Sequence, residues 1–241
     1  MQFSFHKPSH IIALLLMFFV FLIFYVLPFL LLTGILPSSQ NPSIRESYIV
    51  LNSVISSALF VGAPVIWLYF INNLRLKDIV SYLKLTAKDL DLAFIWGFAV
   101  FMVIISIQIA IAMILFILDV HIENPVAEEI ARTLSVTSMV FVSIVQSTSE
   151  EIFFRGFLLE KIREYSGYGV AIGATAFLFG LAHMGYGQVY PILMPILMGI
   201  LLGYVVVKTK NLFSSITTHV TFNLATFIVY IISQSLQPVT L

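Results

Sequence analysis

Residues Leu92–Leu118 read LAFIWGFAVFMVIISIQIAIAMILFIL, without one charged side chain from end to end. About 20 apolar residues suffice to cross the hydrocarbon core of a bilayer, where a backbone must satisfy its own hydrogen bonds and a helix does so within one segment. The stretch therefore reads as a spanning helix, and the same pattern recurs on both sides of it. Toward the N-terminus lie Ile11 to Leu36, interrupted by Pro28, and Tyr48 to Ile71. Toward the C-terminus lie a stretch that starts near Leu134, then Gly169 to His183, Pro191 to Val207 and Leu212 to Ile232. The expected fold is an all-α integral membrane protein of about seven transmembrane helices, with a polar site inside the bundle. The first stretch is too long for a signal-peptide core and lacks a small-residue cleavage site, so it is expected to stay.

Composition agrees. Of 241 residues, 60% are hydrophobic and 10% charged, against about 25% charged in a soluble domain, and mean hydropathy is +1.03. That leaves no room for a separate soluble domain. One membrane domain is expected, with residues 1–133 supplying three spans and an interfacial loop and residues 134–241 a four-helix core. The formal net charge is zero, so no basic face suits nucleic acid. The chain has no cysteine, which excludes disulfides, thiolate metal sites and a cysteine nucleophile.

Basic residues in loops mark the cytoplasmic side. Lys7, Arg75, Lys77, Lys84, Lys88, Lys161, Arg163, Lys208 and Lys210 fall on one side of the predicted spans, with Arg155 at its edge. The other side holds Arg45 and Arg132 and the acidic Asp119, Glu123, Glu128 and Glu129. A multi-pass protein of the cell membrane with a cytoplasmic N-terminus and an external C-terminus follows. Leu74 to Leu90 mixes apolar and basic residues and reads equally as a helix in the cytoplasmic interface or as a solvated loop.

Ionisable side chains inside a span mark either function or a buried pair. The fourth stretch carries Ser143, Gln146, Ser147, Glu150, Glu151 and Arg155. At helical spacing Gln146 and Glu150 share one side, and Ser147, Glu151 and Arg155 form a row. Glu151 four residues before Arg155 is the favourable order for an ion pair, which leaves Glu150 without a charge partner nearby in sequence. His183 in the fifth stretch, and His219 with Asn223 one turn later in the seventh, can supply polar partners. Small-residue pairs at Gly169/Gly173 and Gly199/Gly203 are expected to pack helices together within one chain.

Glu150-Glu151-Ile152-Phe153-Phe154-Arg155 resembles the EExxxR motif of the CAAX-protease and bacteriocin-processing (CPBP, or Abi) family. Phe179 to His183 resembles its FxxxH motif, and His219 to Asn223 its HxxxN motif, in the family's order and each on a hydrophobic helix. The resemblance covers roughly Leu134 to Ile232. It implies an intramembrane endopeptidase acting near the cytoplasmic face on a peptide or protein with a membrane-associated segment, in contact with membrane lipid. Glu150 would be the general base that activates water, His183 would orient that water, and His219 and Asn223 would hold the oxyanion, with Glu151 and Arg155 supporting the site. Such chemistry needs an activated water, a stabilised oxyanion and a proton for the leaving amine.

The same residues admit a metal reading. Glu150, His183 and His219 form a candidate His₂Glu zinc set with an open position for water, and the sequence favours the metal-free mechanism only slightly. A non-catalytic scaffold or bacteriocin-immunity protein is the alternative function, and a proton-relay transporter a weaker one. No HExxH is present. Counting about 1.5 Å per residue from the cytoplasmic helix ends places Glu150 about 8 Å, His219 about 10 Å and His183 about 20 Å deep, with the cavity expected to open toward the cytoplasm.

Overall fold

A computed structural model describes residues 4–36, 45–120 and 125–236, and all regular structure among them is helical. In chain order the helices are α1 (Pro8–Leu32), with a π turn at Leu22–Val26, α2 (Glu46–Phe70), α3 (Leu76–Tyr82), α4 (Leu90–Ile117) and α5 (Pro125–Thr133). Then follow α6 (Val136–Glu151), a π segment (Ile152–Leu158), α7 (Leu159–Leu181), α8 (Tyr190–Thr209) and α9 (Phe213–Leu236). Glu123, part of the acidic stretch, lies outside the described residues.

Among the described residues five helices are long and apolar enough to cross a membrane: α1, α2, α4, α8 and α9. The other two expected spans exist as helices but do not join that set. α6 has 16 residues before it gives way to the π segment. α7 begins with Glu160, Lys161, Arg163 and Glu164, and it breaks at Gly167, whose φ of 77° lies in the left-handed region open to glycine.

The two ends of the bundle are tied differently. At one end the Ser135 side chain caps α6 by accepting from the Ser138 N–H, while the Ser135 N–H donates to Glu46 Oε1 in the first turn of α2 at 2.9 Å. At the other end the basic residues gather, as their spacing predicts. Glu160 pairs with Lys84 and with Arg163, Tyr82 donates to Glu164, and Lys208 sits 4.2 Å from the Trp96 ring centre. The linker after α3 folds over the start of α9: the Leu212 N–H donates to Lys84 O, and Asn211 Nδ2 donates to Thr86 O and Lys88 O. The stretch left open between interfacial helix and loop is thus a two-turn helix, and its apolar Ile79 and Leu83 are buried in the protein core.

The interior divides into two clusters. One joins Leu68, Leu83, Val100, Ile104, Phe157, Leu202 and Leu212; the other stacks Phe60, Phe153, Phe154 and Phe179 against α1. Of the two small-residue pairs, one packs as expected and the other does not. A Cβ on Gly199 would stand 2.9 Å from Ala176 Cα and 3.1 Å from Arg155 Nη2, so this glycine is required for α8 to approach α7. Gly169 and Gly173 have nothing within 4 Å of that position and make no such packing.

Candidate active site

The site is built where α6 passes into the π segment. Ile152 to Phe157 are six consecutive buried residues, a run that only the crowded centre of a bundle can enclose on every side. The wider π turn feeds the helix through that crowd, and such turns recur at functional sites. It also explains the depth mismatch in the sequence reading. The helix carrying Glu150 does not end near Arg155 but continues to Gly167, so Glu150 lies about 25 Å from that end, level with His183 at about 21 Å from Gly169. His219 is still only about 9 Å from the start of α9. That start, however, is buried beneath the Lys84–Lys88 linker, so counting from it understates depth.

Glu151 and Arg155 are both fully buried, with Arg155 Nη1 donating to Glu151 Oε1 at 2.9 Å. The pair therefore belongs to the centre of the protein, and its expected position at the membrane edge is corrected. The Arg155 guanidinium stacks 4.3 Å from the centre of the Phe179 ring, where the ring's negative face favours a cation. Phe179 also meets His183 and His219 edge-on, with centroids 5.0 and 5.7 Å away. One aromatic ring thus seats the arginine and both histidines, which gives the first letter of FxxxH a physical role.

His219 stands between the two neighbouring carboxylates. Its Nδ1 lies 2.9 Å from Glu151 Oε1 and its Nε2 lies 3.7 Å from Glu150 Oε2. The other oxygen of Glu150 accepts from Gln146 Nε2 at 2.7 Å. Asn223 Nδ2 donates to Ser147 Oγ at 2.9 Å, which leaves its second N–H uncommitted to that bond. His183 Nδ1 lies 2.8 Å from the Phe179 carbonyl. A carbonyl only accepts, so Nδ1 carries a proton, and in the neutral ring of that tautomer Nε2 is the acceptor.

Glu150, His183, His219 and Asn223 all line one cavity of about 840 Å³. Its polar wall is made by Asn52, Ser53, Ser56 and Gln146, and its apolar wall by residues such as Met194, Leu197 and Phe227. The lining continues to Glu128 on α5 and to Gln234 near the end of α9. Those residues lie at the end opposite the basic loops. The cavity therefore extends away from the side expected from sequence, because α3, its linker and the Glu160 ion pairs close the basic end. Among the described residues no group of three or more His, Asp or Glu side chains is placed to hold a metal ion. Nδ1 of both His183 and His219 is hydrogen-bonded within the protein, so each ring's remaining nitrogen is Nε2.

Three polar motifs on three helices, converging on one cavity, are what the family comparison then meets. Residues 132–225 match the family described as Type II CAAX prenyl endopeptidase Rce1-like. All three motifs of the sequence resemblance fall inside the Rce1-like span, and the match supports protease activity at the level of the family. Five helices long and apolar enough to cross a membrane, among the described residues, agree with that match. No curated protein and no solved structure matches the chain. Ser53 and Ser57 of α2, which hydrogen-bond to α6, lie outside the matched span. Sequence reading noted Gln146 and Ser147 as polar but did not find their partners, since those partners come from other helices.

Proposed function

We propose that this protein is an intramembrane endopeptidase that hydrolyses a peptide bond with water activated by Glu150. The observation that carries the reading is the division of labour between two adjacent carboxylates. Glu151 is fully enclosed and bonded to Arg155 and His219, whereas Glu150 lines the cavity and turns Oε2 toward His219 Nε2. Glu151 is thereby structural, and Glu150 is free to exchange a proton.

Glu150 takes a proton from water as the water oxygen bonds to the substrate carbonyl carbon. It returns that proton to the leaving amine as the carbon–nitrogen bond breaks. His183 Nε2 accepts from the same water and orients it. Glu151 holds His219 by Nδ1. An N–H at Nε2 as well requires the imidazolium, a charge balanced by Glu150 and Glu151 on either side. His219 Nε2–H and the second N–H of Asn223 then form the oxyanion donors. The substrate is a peptide with a membrane-associated segment, for which a prenylated CAAX sequence is the first candidate because the matched family is described by that activity. The basic end faces the cytoplasm, on the distribution of Lys and Arg.

Glu150→Gln keeps the shape and removes the proton acceptor. Assayed on a fluorogenic prenylated CAAX peptide with purified protein, it should lower kcat by about 10³ or more while thermal stability is retained. Wild-type turnover by the folded variant would overturn the mechanism. In the same assay, metal-stripped wild-type protein should remain active with chelator present. Loss of activity that zinc restores would move Glu150, His183 and His219 into a metal set.

A further inference from the structure

Gln146 is not part of any of the three motifs, yet it makes the shortest hydrogen bond to the proposed base, 2.7 Å from Nε2 to Glu150 Oε1. A carboxylate only accepts, so the amide must turn its nitrogen toward Glu150 and its oxygen the other way. That oxygen accepts from Ser53 Oγ of α2 at 3.1 Å. The amide's orientation is therefore set by two partners on two different helices. Ser53 itself is buried. Its position is fixed by a second contact one turn along, where Ser149 Oγ donates to Ser57 Oγ at 3.0 Å. Ser53, Gln146 and Glu150 all line the cavity.

We infer that Gln146, oriented by Ser53, is a positioning residue that occupies one oxygen of Glu150 and so dictates that the other, Oε2, meets the water. The inference rests on the reading of Glu150 as the base. It gives α2, which lies outside the family-matched residues, an indirect part in the chemistry, through the Gln146 amide. Without the amide the carboxylate is free to rotate about its terminal bond, and a catalytic group held away from its reacting geometry loses rate rather than affinity.

The test uses the full-length protein in lipid nanodiscs with the fluorogenic prenylated CAAX peptide. Gln146→Met keeps the length of the side chain and removes both its donor and its acceptor. It should lower kcat by about tenfold to a hundredfold, with KM within about twofold of wild type. Ser53→Ala should lower kcat by a smaller factor, and Ser53→Thr, which keeps the hydroxyl, should restore it. The Ser53→Ala/Gln146→Met double variant should match Gln146→Met alone, because Ser53 acts through the amide. Unchanged kcat in Gln146→Met, a rise in KM alone, or losses that simply add would each overturn the inference. If Gln146→Met does not fold, equal kcat in Ser53→Ala and Ser53→Thr overturns it. Glu150→Gln run in parallel keeps the two claims apart. Turnover by that variant removes the base itself, whereas an inactive Glu150→Gln beside a fully active Gln146→Met removes only the positioning role.

Discussion

On α4 the exposed residues include Phe94, Ile95, Phe98, Met113 and Phe116, while on α6 the buried ones are Ser143, Ser147, Ser149, Glu150 and Glu151, with Met139 the one buried apolar residue. A water-soluble protein arranges these chemistries the other way round. The two most apolar spans follow the same rule, although α9, at 1.4 and 17% enclosed, does not. α1 and α4 have the highest mean hydropathy, 2.9 each, and only 11% of either apolar window is enclosed by protein, against 39% for α8 at 2.1. Lipid accepts apolar surface without penalty, so apolarity does not drive a helix inward. What must be shielded from lipid is polarity, because an unpaired polar group in hydrocarbon costs several kcal/mol.

That contrast is broken hardest by Glu151→Ala. It leaves Arg155 as a buried charge without its partner and His219 without its anchor. Removing one member of a buried pair costs about 3–5 kcal/mol, and a large fall in melting temperature in detergent is expected together with lost turnover. An unchanged melting temperature would show that Arg155 is held by the Phe179 ring alone. Gly199→Ala probes packing on the same polar side of the comparison. Its new methyl would press on Ala176 Cα and Arg155 Nη2, and overpacking of this kind costs about 1–3 kcal/mol. Wild-type thermal stability would mean that α8 can retreat from α7 without loss. The smallest effect belongs to α4. Phe116 is 87% exposed, and Phe116→Ala should change stability by no more than about 0.5 kcal/mol. A larger fall, measured in nanodiscs, would show that this face of α4 is covered by something other than lipid.

The same contrast explains what the sequence could disclose. Glu150, His183, His219 and Asn223 stood out because a polar residue in an apolar run is conspicuous, and all four line the cavity. The Glu151–Arg155 pair was legible from i, i+4 spacing, although its depth was not. Gln146 was visible as polar, but its tie to Ser53 joins residues 93 positions apart, and no local pattern encodes a contact between two helices. The direction of the cavity was missed for a related reason. Its closure at the basic end depends on a short linker folding over the start of α9, a tertiary event with no periodicity of its own.

The π segment between Glu151 and Leu159 has a bearing on how such chains are aligned. A turn closed by i→i+5 bonds holds one residue more than a regular helical turn, and one residue is worth about 100° of rotation about the axis. Helical phase therefore slips at Ile152–Leu158. A wheel drawn straight through α6 and α7 assigns Tyr165 and Glu164 to faces about 100° from their true ones. Deleting a single residue from the segment would restore phase and, in doing so, swing Glu160 away from its ion pair with Lys84 and Glu164 away from the Tyr82 hydroxyl. The length of the segment is thereby tied on both sides, by the Glu150–Glu151 carboxylates before it and by the Glu160 ion pairs beyond it.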